Sequence, residues 1–191
     1  MALSRTTASS GQQVVLADVK DYLRVTTTAD DTWINRDIIP AAVTDAESLT
    51  GRALLSQTYT LKLRGFGRGP IVLPYPPLGS VSSVTYVDTN GSTQTWSSSK
   101  YTVSAPSGEH AGHATIQPAY SESYPSTRSV VDSVTIVFVA GYGVAADIPL
   151  GIKQGIALLC EAIYLSDHGL VERARDRLTP YTVWRPDLRL D

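Results

Sequence analysis

The residues best suited to chemistry fall into a few short clusters. Glu109-His110-Ala-Gly-His113 sets two imidazoles and a carboxylate within five positions. Zinc takes such donors, but it needs His residues on one helix face or a further ligand close by. Here Pro106-Ser-Gly108 precedes the cluster, Gly112 interrupts it and no cysteine is near, so it reads as a solvated loop between strands. Gly65-Phe-Gly-Arg-Gly69 has the composition of a phosphate loop. Pro70 and a strand follow it, where phosphate binding needs a helix N-terminus. Cys160 is the single cysteine and stands beside Leu158, Leu159 and Ala162. That apolar setting suits packing rather than a reactive thiolate. Asp30-Asp31 reads as a cap before a helix rather than an acid/base pair, and no Gly-x-Ser-x-Gly elbow occurs. No catalytic residue, metal ligand or cofactor is assigned, and the chain reads as a non-enzyme.

The C-terminal stretch is of a different kind. Thr179-Pro-Tyr-Thr-Val-Trp-Arg-Pro-Asp187 holds two prolines and β-branched residues, which favour extended chain. Tyr181 and Trp184 have no obvious local core, and Arg185 and Arg189 stand with them. Trp, Tyr and Arg are the residue types enriched at interface hot spots. Residues 178–191 therefore read as an arm that docks on a neighbouring subunit or partner. The alternative is a tail that folds back on its own domain.

The elements that position these clusters follow from periodicity. Leu16, Val19, Tyr22 and Leu23 recur at helical spacing, and the apolar residues Trp33, Ile34, Ile38, Ala41, Ala42 and Leu49 are expected to continue on one face over 31–50. Pro40 predicts a kink or break in that second helix, and Gly51 suits the left-handed position that ends it. The period then switches to alternation at Tyr59, Leu61 and Leu63. Six or seven short strands follow between 56 and 140, with Asn90-Gly91 as a hairpin turn in which both residues take positive φ. Ile152, Ile156, Leu159 and Ile163 then mark the most apolar helix, opened by Pro149. Residues 170–177 extend that helix or start another, and 1–14 are polar and loosely ordered or order on a partner.

Two early helices separated from a third by about 90 residues bury their apolar faces only if the chain returns. The expected class is α+β: a small helical platform of three main helices, a large antiparallel β-sandwich or barrel-like insertion, and an extended C-terminal arm. The division is 1–14 flexible segment, 15–55 first part of the platform, 56–143 β insertion, 144–177 second part of the platform and 178–191 arm.

Composition narrows the function classes. The net charge is −2, so no overall basic field attracts nucleic acid. Charged residues are 18% of the chain, a low share that suits a surface partly covered by partners. One cysteine gives no disulfide framework, and the N-terminus lacks the apolar run of a signal peptide, so the expected setting is a reducing cytoplasm.

Several segments resemble one family in order and spacing. Leu16-Ala-Asp-Val-Lys-Asp-Tyr-Leu-Arg24 is similar to the opening helix of tailed-phage head–tail connector (adaptor, head-completion) proteins. An acidic break at Asp30-Asp31 and a helix ending in Thr50-Gly51-Arg52-Ala53-Leu54 follow. Leu73-Pro74-Tyr-Pro-Pro77-Leu78-Gly-Ser-Val81-Ser-Ser-Val84-Thr-Tyr86 resembles the β-domain of that family, as does Phe138-Val-Ala-Gly141-Tyr142-Gly143 before Ile148-Pro149. The resemblance covers about residues 14–165.

It implies a structural virion protein, made in the host bacterial cytoplasm, that assembles as a homo-oligomeric ring, usually a dodecamer, beneath the portal protein. The ring would extend the channel through which packaged DNA passes without sequence-specific binding. It would offer a docking surface to stopper or tail-completion proteins, with no membrane contact. Carried onto residues 178–191, the arm of related adaptors implies portal contacts at Tyr181, Trp184, Arg185 and Arg189. The helical platform would supply two lateral faces for a head-to-tail ring. Three alternatives stay open: a neck stopper or tail-completion protein, a β-sandwich carbohydrate- or receptor-binding module using Trp96 and Tyr101, and a metal enzyme built on His110 and His113.

Overall fold

The computed structural model describes residues 1–8 and 11–183. The first helix, α1 (Leu16–Leu23), ends on Arg24 in the left-handed conformation. A longer helical run follows as α2 (Asp31–Trp33), a π-helical segment (Ile34–Ile38) and α3 (Ile39–Thr50). The π segment is the fold's answer to Pro40. Proline lacks an N–H and its ring crowds the carbonyl four residues back. Widened i→i+5 turns absorb this immediately upstream. The expected kink or break is therefore a local widening, and the backbone keeps right-handed helical angles through Ile38 and Ile39. Gly51 (φ 69°) ends α3 and donates its N–H to Glu47 O at 2.9 Å.

Among the described residues, eight strands make two antiparallel sheets. The larger has the order β1 (Ala2–Thr7), β2 (Gln57–Leu63), β8 (Val134–Ala140), β4 (Leu78–Val87), β5 (Thr93–Thr95). The smaller has the order β3 (Ile71–Leu73), β7 (Ala114–Pro118), β6 (Tyr101–Ser104). Alternation in β2 and β8 buries Tyr59, Leu61, Val134, Ile136 and Phe138 on one side. These join Leu73, Ile116 and Trp96 in a core between the sheets. The class is thus α+β, as the sequence indicates. The reading of residues 1–14 as loosely ordered is corrected for Ala2–Thr7, which pair with β2 from Ala2↔Lys62 to Thr7↔Thr58. Their polar side chains are exposed, so backbone pairing holds this edge strand, with Leu3 alone packed against the core between the sheets.

The hairpin between β4 and β5 also differs from expectation. Gly91 (φ 93°) alone supplies positive φ. Asn90 instead donates its N–H to the Asp88 carboxylate, which also accepts from Ser92 N, each at 2.9 Å.

After the sheets, α4 (Leu150–Leu165) starts with Pro149 at its N-cap and ends on Ser166 in the left-handed conformation. A separate helix, α5 (His168–Leu178), follows, with the Asp167 carboxylate accepting from Gly169 N. Ile152, Ile156 and Leu159 of α4 meet Val19, Ile38, Ile39, Ala42 and Ala46 in a second core, sealed by Ala174 and Leu178 of α5. The third helix thus returns to the first two across the sheets.

Two of the connections between the cores, 53–57 and 141–147, run side by side. Tyr142 N donates to Leu54 O at 3.1 Å and Ser56 N to Gly143 O at 3.0 Å. Gly141 (φ 127°) allows this approach, since a Cβ there would lie 2.2 Å from Leu55 O.

Candidate functional site

The tail begins on the body of the protein. Thr179–Tyr181 form a 3-10 turn after α5. Val183 N donates to Thr50 O at 2.9 Å, so the chain returns to the end of α3. The Tyr181 ring stacks on His110 with centroids 4.9 Å apart and packs over Gly151 at the start of α4. Tyr181 is therefore held by its own chain, the alternative weighed for the arm. Trp184, Arg185 and Arg189 lie outside the described residues.

Arg52 organises this junction. Only 2% of it is exposed. Its Nε donates to Tyr181 O at 2.5 Å and its Nη1 to Ala111 O at 2.8 Å. One buried side chain thus ties the end of α3, the loop before β7 and the C-terminal segment. Burial pulls the guanidinium below its ordinary pKa, while the adjacent Tyr142 and Tyr181 hydroxyls oppose that shift. Burial likewise pushes the Tyr142 phenol up, against the pull of Arg52. Tyr142 donates its hydroxyl to Glu109 O at 2.7 Å, adding a second tie to the same loop. The sequence reading missed Arg52. Its signal is a lone charge between a helix-ending glycine and the apolar run Ala53-Leu54-Leu55.

The other clusters are engaged structurally. His110 Nδ1 lies 3.1 Å from Pro180 O and His113 Nδ1 lies 3.1 Å from Leu73 O, so each imidazole meets a carbonyl. No group of three or more His, Cys, Asp or Glu among the described residues is placed to hold a metal ion. The Gly65–Gly69 loop joins β2 to β3, and Gly69 O accepts from Tyr124 Oη at 2.9 Å. Cys160 is buried in the helical core, which pushes its thiol up to about 12. The cap reading of Asp30-Asp31 is corrected: Asp30 makes no side-chain cap bond. It accepts from Tyr164 Oη at 2.8 Å, and Asp31 pairs with Lys20 at 2.5 Å, so both carboxylates tie helices together. A binding module using Trp96 would need that ring at the surface, but Trp96 is 3% exposed and packs with Phe66, Tyr101 and Tyr124.

Two exposed surfaces among the described residues carry large apolar side chains. At the end of the sheets away from the helices, the β7–β8 connection holds Tyr120, Val130 and Val131 outward, with Tyr120 99% exposed. Its frame is fixed by Ala119 N to Lys100 O at 3.0 Å and Arg128 N to Val87 O at 3.0 Å. Seven-residue strands set this tip roughly 20 Å from the helical core. On the helical side, α1 and α4 line an apolar cleft of about 460 Å³. Val15, Tyr22 and Leu150 stand exposed along it.

No protein-family model matches the chain, and no curated protein matches it. Solved structures do. A chain of the virion of a native gene transfer agent particle shares 23% identity and 97% of both chains, with a TM-score of 0.78. A chain from the neck of the empty particle, computed with C6 symmetry, matches at the same values. A chain from the neck of the native particle, computed with C12 symmetry, matches at 21% identity over 97% of both chains, with a TM-score of 0.71. At this identity the likeness establishes the fold over nearly the whole chain.

Proposed function

We propose that the chain is a structural neck protein of a tailed, phage-like particle, and within the neck the ring-forming adaptor beneath the portal. The observation that carries this reading is the end-to-end likeness to chains of symmetric particle necks, over 97% of both chains. A single shared sheet or helix pair would not span both cores and their connections. The side chains with chemical potential point the same way, because His110, His113 and Arg52 serve contacts within the fold.

In this reading the helical core forms the ring with further copies, twelve in all. DNA passes through the ring without base recognition. Residues 184–191, with Trp184, Arg185 and Arg189, reach the portal. Tyr181 acts as the root of that arm, set on Arg52 and His110, rather than as its free end. The distal tip with Tyr120, Val130 and Val131 meets the stopper or tail-completion protein. Exposed apolar residues on a fixed loop suit such a contact, since little ordering is required on binding.

The test is particle production in a host whose copy of the gene is disrupted. The expected outcome is DNA-filled heads without tails, rescued by the gene in trans, and the protein seen at the neck by electron cryo-microscopy. Normal yields of tailed particles without the gene would refute the reading.

A further inference from the structure

We infer that the cleft between α1 and α4 is one half of a head-to-tail contact between copies, and that its occupant is the outer face of α3 from the next copy. The inference rests on the ring reading above and names the surfaces the ring would use.

The argument starts from helix geometry. At 100° per residue, Ile39, Ala42, Val43 and Ala46 share one side of α3, and Ala41, Thr44, Asp45 and Ser48 share the other. The first set is buried against α4 and the second is exposed. In α4, Ile152, Ile156 and Leu159 face the core, while Leu150, Lys153 and Ala157 lie on the opposite side. The two outer stripes therefore face in opposite directions. A molecule with two unlike faces on opposite sides associates head to tail and closes when the rotation fits.

The faces also match in shape and charge. The cleft is concave and apolar, with Leu150 68% exposed, Val15 48% and Tyr22 42%. The α3 face carries only small side chains, which lets a helix approach closely. Lys153 lines the cleft and Asp45 lies on the α3 face. Neither has an ion-pair partner among the described residues. Asp18 also lines the cleft, and Gln154 at its border already accepts from Arg177. Among the described residues lining the cleft, Lys153 is thus a cation without an ion pair, open to an incoming acid. Fold relatives come from particle necks computed with C6 and C12 symmetry, which favours a second copy as neighbour.

Two variants test this, each in an exposed position so that the fold is kept, as circular dichroism would verify. Leu150→Asp disables the cleft and Thr44→Arg disables the α3 face. Sedimentation of concentrated protein reads assembly. The expected result is rings from the parent chain, monomers from each variant alone, and one-to-one dimers from their mixture, because each variant keeps one working face. Lys153→Glu is expected to weaken assembly at least tenfold and to regain it when mixed with Asp45→Lys. Variants that assemble as the parent does would overturn this inference and leave the neck reading intact. Variants that stay monomeric when mixed would also overturn it, since the two faces would not be partners. A parent chain that never forms a ring would overturn both.

Discussion

Arg52 is a buried charge with no carboxylate partner among the described residues, and its value to the fold lies in what it satisfies. Replacing it by Met keeps the aliphatic stem and removes donors from Tyr181 O and Ala111 O. One buried carbonyl, Ala111 O, and one part-buried carbonyl, Tyr181 O, then lack this donor, which costs about 1–3 kcal/mol for each that no water reaches. The expected outcome for Arg52→Met is a loss of about 2–4 kcal/mol, read as a lower urea midpoint with an unchanged slope. Cys160 gives a pH test. Its thiol sits near 9.0 when free and about 12 in the fold. The folded state therefore holds the proton more tightly. That contribution is fully present below about pH 9 and is lost as pH rises toward about 12. Stability is expected to fall over this window in the parent and less so in Cys160→Ala, after allowance for the lost sulfur contacts. At neutral pH the native thiol is expected to resist maleimide and to label only on unfolding.

At the scale of elements, the paired connections 53–57 and 141–147 decide how the two cores sit together. Gly141→Ala would set a methyl group into Leu55 O at a φ that L-residues rarely adopt. A loss of roughly 3 kcal/mol or more is expected, with both cores melting at a lower temperature. The tail behaves in two parts. Ending the chain after Val183 keeps the bonds to Arg52 and Thr50, whereas ending it after Leu178 removes both. Thermal melts should show the first truncation near the parent and the second lower by several degrees. Most elements were legible because their apolar periods are strong, as in Ile152-Ile156-Leu159 and Tyr59-Leu61. The strand at Ala2–Thr7 was not, since four of its six side chains are polar, they do not alternate with apolar ones, and its partner lies more than 50 residues on. The π segment was not legible either: proline announces a disturbance but not how the backbone absorbs it. Among the candidate residues, sequence grouped Tyr181 with Trp184 by type, and only the fold shows that Tyr181 is fastened to Arg52 and His110. The open cleft escaped notice because Tyr22 looks like any core residue of an amphipathic helix.

At the scale of the molecule, the proposed function would divide the chain into three jobs: helices for neighbours of the same kind, a fixed tip for the next component, and a tail rooted beside α3. The chain ending after Val183 tests that separation in the particle. It should fold and still form rings, yet yield few DNA-filled, tailed particles, and counts from micrographs would check it. The return of α4 to the first helices has one more consequence. Between Thr50 and Leu150 lie 99 residues (149 − 50), all of which leave the ribosome before the helical core can close. At about 5–20 residues per second, the greasy side of α3 waits roughly 5–20 s for its partner. The nascent chain is thus a natural client for chaperones during that interval, and slowing translation between the two segments would be expected to lower the soluble yield.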